Sequence, residues 1–188
     1  MKKYLILVKH SLPEIVENMP AREWKLSDEG RVRAQRLAER LNQYQPEVIV
    51  SSIESKAKET AEIIARKHKL GLHIVEGLHE HDRSKTTYLS KDEFQASVRL
   101  FFEKPNTLVF GDETANDCHM RFDQAVRSVL NLYGNKTIAV VAHGTVISLF
   151  VSGITGISDF FIWNELGLPS FVVLDMDSKS IVAKENIT

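Results

Sequence analysis

Three short polar segments of the sequence carry side chains that can bind or attack an anion. They are Lys9-His10-Ser11, Ser51-Ser52 with Lys56 shortly after, and His143-Gly144. A neutral imidazole can act as a nucleophile, and ammonium and hydroxyl groups donate hydrogen bonds to phosphate or carboxylate oxygens. A single histidine after a strand is more often structural than catalytic. Two such histidines with lysines close by indicate instead a site that binds an anion.

Each of the three segments follows an apolar run that predicts a buried strand, at residues 4–8, 47–51 and 137–142. A helix is predicted after Ser27, and another through residues 57–65. Strands that alternate with helices over short connections predict an α/β fold of three layers, with a mainly parallel sheet and helices on both faces. Ligands of such folds collect at the carboxyl ends of the strands, which is where the polar segments lie.

The remaining pattern predicts further elements of the same fold. A short third strand is expected at residues 73–75, and the last clear strand at residues 171–175. Ser90 and Glu93 have the spacing of a capping box and predict the start of a helix, and Thr114 predicts the start of the next one.

The length of 188 residues and the absence of repeats or linkers predict a single domain that spans residues 1–188. Residues of about 81–112 separate core elements and show no obvious buried strand. We interpret this segment as a cap insertion, and we expect it to determine which substrate is accepted.

Charge and composition exclude several classes of protein. With 24 Lys+Arg and 25 Asp+Glu the net charge is −1, which argues against a partner that is a nucleic acid or an anionic membrane surface. No apolar stretch reaches the roughly 18 residues of a membrane span, and the first apolar run ends at Lys9, too early for a secretory signal. The lone cysteine, Cys118, cannot form an internal disulfide. We therefore expect a cytoplasmic protein, whose oligomeric state the sequence leaves open.

Five segments, in the same order along the chain, resemble the motifs of one family. VKHS at 8–11 resembles LVRHG, WKLSDEGRVRAQRLAERL at 24–41 resembles a W-x-L-T-x-x-G-x-x-Q-A helix, SSIESKAKETAEIIA at 51–65 resembles SSPLxRAxxTAEIIA, GLHEHD at 77–82 resembles an acid loop, and VVAHGTVI at 140–147 resembles VVSHGGVI. These motifs are those of the histidine phosphatase superfamily, the phosphoglycerate mutase-like proteins. The resemblance covers most of the chain and implies the phosphoglycerate mutase-like fold.

The resemblance implies a phosphatase that works through a phosphohistidine. His10 would be the nucleophile, and its other ring nitrogen must donate to a fixed acceptor. His143 would stabilise the transferring phosphoryl group, and Glu80 would protonate the leaving alkoxide, which requires a carboxyl that stays neutral near pH 7. The residues implied to bind phosphate are Lys9, Lys56, Ser11, Ser52 and Gly144. No metal or other cofactor is required, and the implied partner is a small phosphorylated substrate.

The sequence departs from the family motifs in the residues that would bind phosphate. Lys9 and Lys56 stand where the family has arginines, so charge is retained but the bidentate geometry of guanidinium is lost. Ser11 stands where the family has glycine. Because the loss of one transition-state donor typically costs on the order of 10²–10³ in rate, a second hypothesis stays open: a degenerate member that binds a phosphorylated ligand or a protein partner with little turnover. Mutase-type phosphoryl transfer is a third and is disfavoured, because Val16 stands where mutases have asparagine.

Other polar residues near these motifs allow alternative interpretations. Asp82 is a second candidate for the proton donor. His79 and His81 could share a face of an extended segment and ligate a metal ion, but a solvated polar loop fits the resemblance better. We interpret Cys118, which lies on an apolar helical face, as a small core residue and not as a nucleophile.

Overall fold

The computed structural model describes residues 3–83 and 89–188, in which strands and helices alternate. The strands are β1 (Leu5–Lys9), β2 (Val48–Ser51), β3 (Leu72–Ile74), β4 (Ile138–Ala142), β5 (Ser170–Asp175) and β6 (Ser180–Asn186). The helices are α1 (Asp28–Arg40), α2 (Ser55–His68), α3 (Lys91–Glu103), α4 (Ala115–Tyr133), α5 (Gly144–Thr155) and α6 (Asp159–Glu165). Within the described residues, no helix is both long and apolar enough to cross a membrane.

The strands form one sheet in the order β3-β2-β4-β1-β5-β6. β3, β2, β4 and β1 run parallel to one another, whereas β5 pairs antiparallel with β1, and β6 antiparallel with β5. From β1 the chain first builds outward through β2 and β3, and it then returns to insert β4 beside β1. The prediction of a mainly parallel sheet is confirmed.

Helices cover both faces of the sheet. On β1, Leu5 and Leu7 pack with apolar residues of α3, α4, α5 and α6, whereas Ile6 and Val8 pack with those of α1 and α2. All four side chains are buried. Strands that are apolar on both sides are typical of a parallel sheet between two helical layers. The predicted three-layer α/β architecture is therefore confirmed.

The predicted helix starts are confirmed by side-chain caps. The hydroxyl of Ser27 accepts a hydrogen bond from a backbone N–H in the first turn of α1. Capping boxes start α3 and α4, and they are formed by Ser90 with Glu93 and by Thr114 with Asp117. These contacts satisfy N–H groups that have no partner within the helix.

Three elements have no clear signal in the sequence. β6 comes after the last strand that the sequence predicts, and it is an edge strand in which every second residue is exposed. α5 begins with eight consecutive buried residues, so it shows no polar face to reveal a helical period. α6 has only seven residues, which is too short for a repeating pattern.

The segment predicted to be a cap insertion, residues 81–112, contains α3 in its described part. Phe94 and Phe101 of α3 both contact the ring of Phe110, with centroids 6.2 and 5.7 Å apart. Phe94 also lies 6.0 Å from the ring of Trp163 on α6. Helix α3 therefore packs on α6, on the face of the sheet opposite α1 and α2. The extent of the insertion stays a prediction, and its residues 84–88 lie outside the described part.

Candidate active site

The carboxyl ends of β1, β2 and β4 bring the predicted polar segments together. β1 pairs with β4 along its whole length, and His10, directly after β1, donates its backbone N–H to the carbonyl of Ala142 at 3.0 Å. Ser52, directly after β2, donates its N–H to another β4 carbonyl at 2.9 Å. The rings of His10 and His143 then meet edge to face, with centroids 5.2 Å apart.

The backbone carbonyl of Ser11 fixes which nitrogen of the His10 ring carries the proton. His10 Nδ1 lies 2.7 Å from Ser11 O, and because a carbonyl oxygen only accepts, Nδ1 must be the donor. Burial, followed by the neighbouring His143 and Lys56, holds the pKa of His10 well below its ordinary value. The ring is therefore neutral at pH 7, and its lone pair is on Nε2.

Lys9 reaches across the carboxyl end of β1 and is held at the end of α6. Its Nζ donates to the carbonyl of Leu166 at 2.7 Å. Burial lowers the pKa of Lys9 to about 8, against the opposing influence of Glu80. Gly144 makes room for this side chain, because a Cβ there would lie 3.2 Å from Lys9 Cε. The structure thus brings Gly144 to the site as a neighbour of the Lys9 stem.

His143 and Ser52 form a second buried pair in the site. His143 Nε2 lies 2.9 Å from Ser52 Oγ. Burial lowers the pKa of His143 to about 3, although Glu80 opposes this shift, so the ring is neutral at pH 7. Its Nδ1 is buried and has no hydrogen-bond partner among the residues that the structure describes.

Glu80 lies at the amino-terminal end of α5, where it accepts two backbone hydrogen bonds. Oε1 accepts the N–H of His81 at 2.8 Å, and Oε2 accepts the N–H of Thr145 at 3.1 Å. Burial favours the neutral form, but it is outweighed by His143, which is charged in the acidic range where Glu80 titrates, by Arg83 and by the two amides. Together they hold the pKa of Glu80 below its ordinary value. Glu80 is therefore ionised at pH 7 in the free protein, whereas the sequence analysis expected a neutral carboxyl there.

Arg121 of α4 holds the backbone of the acid loop, residues 77–82. Nη1 donates to the carbonyls of Gly77 and His79 at 2.8 and 2.9 Å, and Nη2 donates to the carbonyl of Glu80 at 3.2 Å. Glu113 pairs with the same guanidinium, with an Nη2 to Oε1 distance of 2.6 Å. Because these carbonyls face Arg121, the guanidinium fixes the backbone conformation of the loop around Glu80 from the side of α4. Arg121 was not predicted as a site residue, because in the sequence it is only a lone arginine in the polar first half of α4.

Ser11, which the sequence implies to bind phosphate, makes two hydrogen bonds within the protein. Its hydroxyl donates to the carbonyl of Gly30 at 2.7 Å, and its N–H donates to Thr60 Oγ1 at 3.0 Å. A hydroxyl has one proton to donate, and the proton of Ser11 is directed towards α1. The close approach of this helix explains why, since a Cβ on Gly30 would lie 2.0 Å from the carbonyl oxygen of Leu12. Ser11 therefore joins α1 to the loop after β1, and in this structure both of its donors are used within the protein.

Glu54 is the main residue of the site that the sequence analysis missed. Its Oε2 lies 2.7 Å from Lys56 Nζ, and the same ammonium donates to the carbonyl of Ala21 at 2.7 Å. Its Oε1 accepts the N–H of Glu80 at 2.8 Å and lies 3.5 Å from His143 Nε2. Burial opposes ionisation, yet Lys56 and the Glu80 amide keep the pKa of Glu54 below its ordinary value. The signal was present, because Glu54 stands where SSPLxRA has leucine.

The alternative residues of the acid loop have other surroundings. The ring of His81 packs between Phe101 and Phe110, at centroid distances of 4.3 and 4.8 Å. Asp82 is exposed, and its N–H donates to Glu113. Across residues 3–83 and 89–188, no three His, Cys, Asp or Glu side chains are arranged so that they could hold a metal ion.

Cys118 is fully buried in the core layer formed by α3, α4, α5 and α6. Burial raises the pKa of its thiol well above the ordinary value, so the thiol stays protonated at pH 7. This environment agrees with a core residue and not with a nucleophile.

Comparison with known proteins identifies the family. The sequence pattern of the histidine phosphatase superfamily (branch 1) matches residues 5–186. A comparison with curated proteins finds no match. Among solved structures, phosphoserine phosphatase from Entamoeba histolytica in complex with 3-phosphoglyceric acid superposes with a TM-score of 0.79 at 19% identity, covering 99% of this chain and 98% of the other. YhfR from Bacillus stearothermophilus gives 0.76 at 21% identity over 99% and 98% of the two chains.

A third structure, mycobacterial glucosyl-3-phosphoglycerate phosphatase, superposes with a TM-score of 0.73 at 22% identity and covers 91% of this chain and 89% of its own. At these identities the structural likeness shows a shared fold, the phosphoglycerate mutase-like α/β fold. The family pattern spans nearly the whole sequence, including the three strand ends that form the site. The chain therefore belongs to the histidine phosphatase superfamily.

Proposed function

We propose that the protein hydrolyses phosphomonoesters through a phosphohistidine on His10. The observation that carries this proposal is the 2.7 Å hydrogen bond from His10 Nδ1–H to the carbonyl of Ser11. It leaves Nε2 unprotonated in a buried, neutral ring, which is the state that a nitrogen nucleophile requires. Membership of the superfamily and the phosphatases among the structural neighbours support the same reaction.

The reaction has two steps. First, Nε2 of His10 attacks phosphorus, the bond from phosphorus to the ester oxygen breaks, and the alcohol leaves with one proton. Second, water attacks phosphorus, gives up a proton, and the nitrogen–phosphorus bond breaks to release inorganic phosphate. Lys9, Lys56, and Ser52 with His143 surround the attacking nitrogen and would stabilise charge on the equatorial oxygens of the phosphoryl group.

The proton for the leaving alcohol is assigned to Glu80. Because Glu80 is ionised in the free protein, it must gain a proton before the ester bond breaks. A phosphoryl group nearby favours this uptake, since a second negative charge raises the pKa of a carboxyl. In the second step the same carboxylate would accept the proton of the attacking water.

The substrate class that we propose is a small phosphorylated metabolite. The neighbouring structures are phosphatases whose names specify phosphoserine and glucosyl-3-phosphoglycerate. These substrates are properties of those proteins, and they share a phosphomonoester on a small polar molecule. Such a group fits the buried strand ends around His10, where two lysines lie beside two neutral histidines.

The test is hydrolysis of p-nitrophenyl phosphate together with trapping of the intermediate. We expect the wild type to release p-nitrophenol and, after rapid quenching with a ³²P-labelled substrate, to carry an acid-labile and base-stable label. His10→Ala should abolish both signals. His73→Ala, which removes an exposed histidine of β3, is the matched control and should retain both. Equal rates for the wild type and His10→Ala would overturn the proposal.

A second function, binding of a phosphorylated ligand with little turnover, is favoured by one contact. The ammonium of Lys56 is already paired with the carboxylate of Glu54 at 2.7 Å, so less of its charge is available to a transition state. The same experiment separates the two functions. A ligand-binding protein would bind phosphate in calorimetry, whereas its hydrolysis rate would equal that of His10→Ala.

A further inference from the structure

Glu54 brings a second carboxylate into the phosphoryl site. Its two oxygens contact Lys56 Nζ at 2.7 Å, the N–H of Glu80 at 2.8 Å, and His143 Nε2 at 3.5 Å. The side chain is only 9% exposed, so the carboxylate lies inside the site and not at its rim. Lys56 and His143 are two of the groups that a bound phosphoryl oxygen would have to contact.

The charges around Glu54 leave little surplus for a second negative charge on the ligand. The groups that act on Glu54 or on which it acts are Lys56 of α2, His10 after β1, His79 and the Glu80 amide of the acid loop, and His143 before α5. Lys9 joins them through the charge of Glu80. The three histidines are neutral at pH 7 because burial lowers the pKa of each ring. The two lysines are therefore balanced by two carboxylates.

Arg83 adds one positive charge beside this balanced group. Its guanidinium lies 4.8 Å from the centroid of the Phe94 ring on α3. Its charge also acts on Glu80 and His143, where it helps to lower the pKa of both groups. With Arg83 included, the site has a surplus of one positive charge, which matches a phosphoryl group that carries one negative charge.

We propose that Glu54 makes the phosphoryl site selective for a group with one negative charge, such as the monoanion of a phosphomonoester, over a group with two. This inference rests on the proposed function and specifies the charge state of its substrate. An oxygen that binds Lys56 and His143 would share these partners with Glu54 and would lie beside its carboxylate, at a separation on the order of 4 Å. At that separation, an additional unit charge weakens binding by roughly a thousandfold at an effective dielectric of about 20, and by at least about tenfold where water and salt screen the site.

The same charge state supplies the proton that the first step needs. A phosphomonoester monoanion carries one proton on a phosphoryl oxygen. When His10 Nε2 attacks, this proton passes to the Glu80 carboxylate and from there to the leaving oxygen, so the alcohol departs neutral. The phosphohistidine keeps the single negative charge of the substrate. Glu80 therefore starts the reaction deprotonated and transfers the proton of the substrate to the leaving oxygen.

The test compares two tetrahedral anions of similar size in mildly acidic buffer, where inorganic phosphate is mainly a monoanion and sulfate is a dianion. Calorimetry on the wild type should show phosphate binding at least about tenfold more tightly than sulfate. In Glu54→Gln this preference should shrink, mainly because sulfate binds more tightly. Glu62→Gln removes one negative charge from an exposed position of α2, the helix that begins directly after Glu54, and should behave as the wild type does.

Several outcomes would overturn the role of Glu54. These are equal affinity of the wild type for the two anions, an unchanged preference in Glu54→Gln, or a folded Glu54→Gln that binds neither anion. The wild-type comparison decides even where the variant does not fold. Failure of the proposed function is measured in a different experiment, the p-nitrophenyl phosphate assay, as hydrolysis that persists in His10→Ala. Hydrolysis that depends on His10, without any preference for phosphate over sulfate, would refute only the role of Glu54.

Discussion

Replacing Arg121 with lysine tests how the acid loop is held. The guanidinium donates to three loop carbonyls at 2.8 to 3.2 Å and pairs with Glu113. A lysine can keep the pair with Glu113, but its single nitrogen cannot span the carbonyls, so about two bonds are lost. Hydrogen bonds to a charged group contribute about 1.5–3 kcal/mol each. Because Arg121 is 20% exposed and water partly replaces these bonds, we expect the free energy of unfolding to fall by about 2–3 kcal/mol.

For a chain of this length, that loss corresponds to a decrease in Tm of about 5–10 °C, measurable by calorimetry or circular dichroism. The activity assay then separates loop positioning from a general loss of fold. A good leaving group such as p-nitrophenolate departs without a proton, whereas an alkyl alkoxide needs one from Glu80. If the loop positions Glu80, kcat/KM of Arg121→Lys for an alkyl phosphate falls about tenfold further than kcat/KM for p-nitrophenyl phosphate, since general acid catalysis typically contributes 10²–10⁴-fold.

The matched control is Arg127→Lys on the same helix. Arg127 Nε pairs with Asp123 at 2.5 Å on the exposed side of α4, and such pairs contribute little to stability. We expect its unfolding free energy to stay within about 0.5 kcal/mol of the wild-type value. A wild-type Tm for Arg121→Lys, or an equal loss of activity on both substrates, would refute the reasoning.

Three further changes test individual contacts of the site. Because the pKa of Lys9 is about 8, the inhibition constant of sulfate should rise as the pH rises through this value, and Lys9→Arg, which stays charged, should remove that rise; a pH-independent wild type would contradict the assignment. Gly144→Ala places a Cβ 3.2 Å from Lys9 Cε, so it should displace Lys9 and lower kcat/KM for p-nitrophenyl phosphate about tenfold or more, with little change in Tm. Ser11→Gly removes the bond to the carbonyl of Gly30 and should lower the unfolding free energy by about 1 kcal/mol while leaving phosphate affinity unchanged; weaker phosphate binding would instead support the phosphate-binding role that the sequence analysis assigned to Ser11.

Most of the fold could be predicted because its elements differ in their hydrophobic period. β1, β2 and β4 are short continuous apolar runs, and α1 and α2 show an apolar stripe that begins after a polar segment. The missed elements lack such contrast. α5 is surrounded by other elements and carries no polar face, while β6 has one neighbour in the sheet and exposes alternate side chains to water. A residue pattern reports the contrast between buried and exposed positions, so a helix that is buried on all sides, or a strand with no buried side chain, gives a weak signal.

The location of the site could be predicted from the sequence. The protonation and pairing of its charged side chains could not, because they depend on which protein groups each polar atom contacts in the fold. The pKa of Glu80 depends on its burial, on His143 and Arg83, and on two backbone amides, of which that of Thr145 reaches it only because α5 starts beside the acid loop. The charge of Lys56 is offset by Glu54, two residues before it. This ion pair forms because both side chains are buried at the carboxyl ends of the strands. The lysines of the motifs predicted a positively charged site that binds an anion, whereas the contacts show a site whose positive and negative charges nearly cancel. If the Glu54 carboxylate sets this charge balance, we expect Glu54→Gln to change the preference between phosphate and sulfate more than Lys9→Arg or Lys56→Arg does.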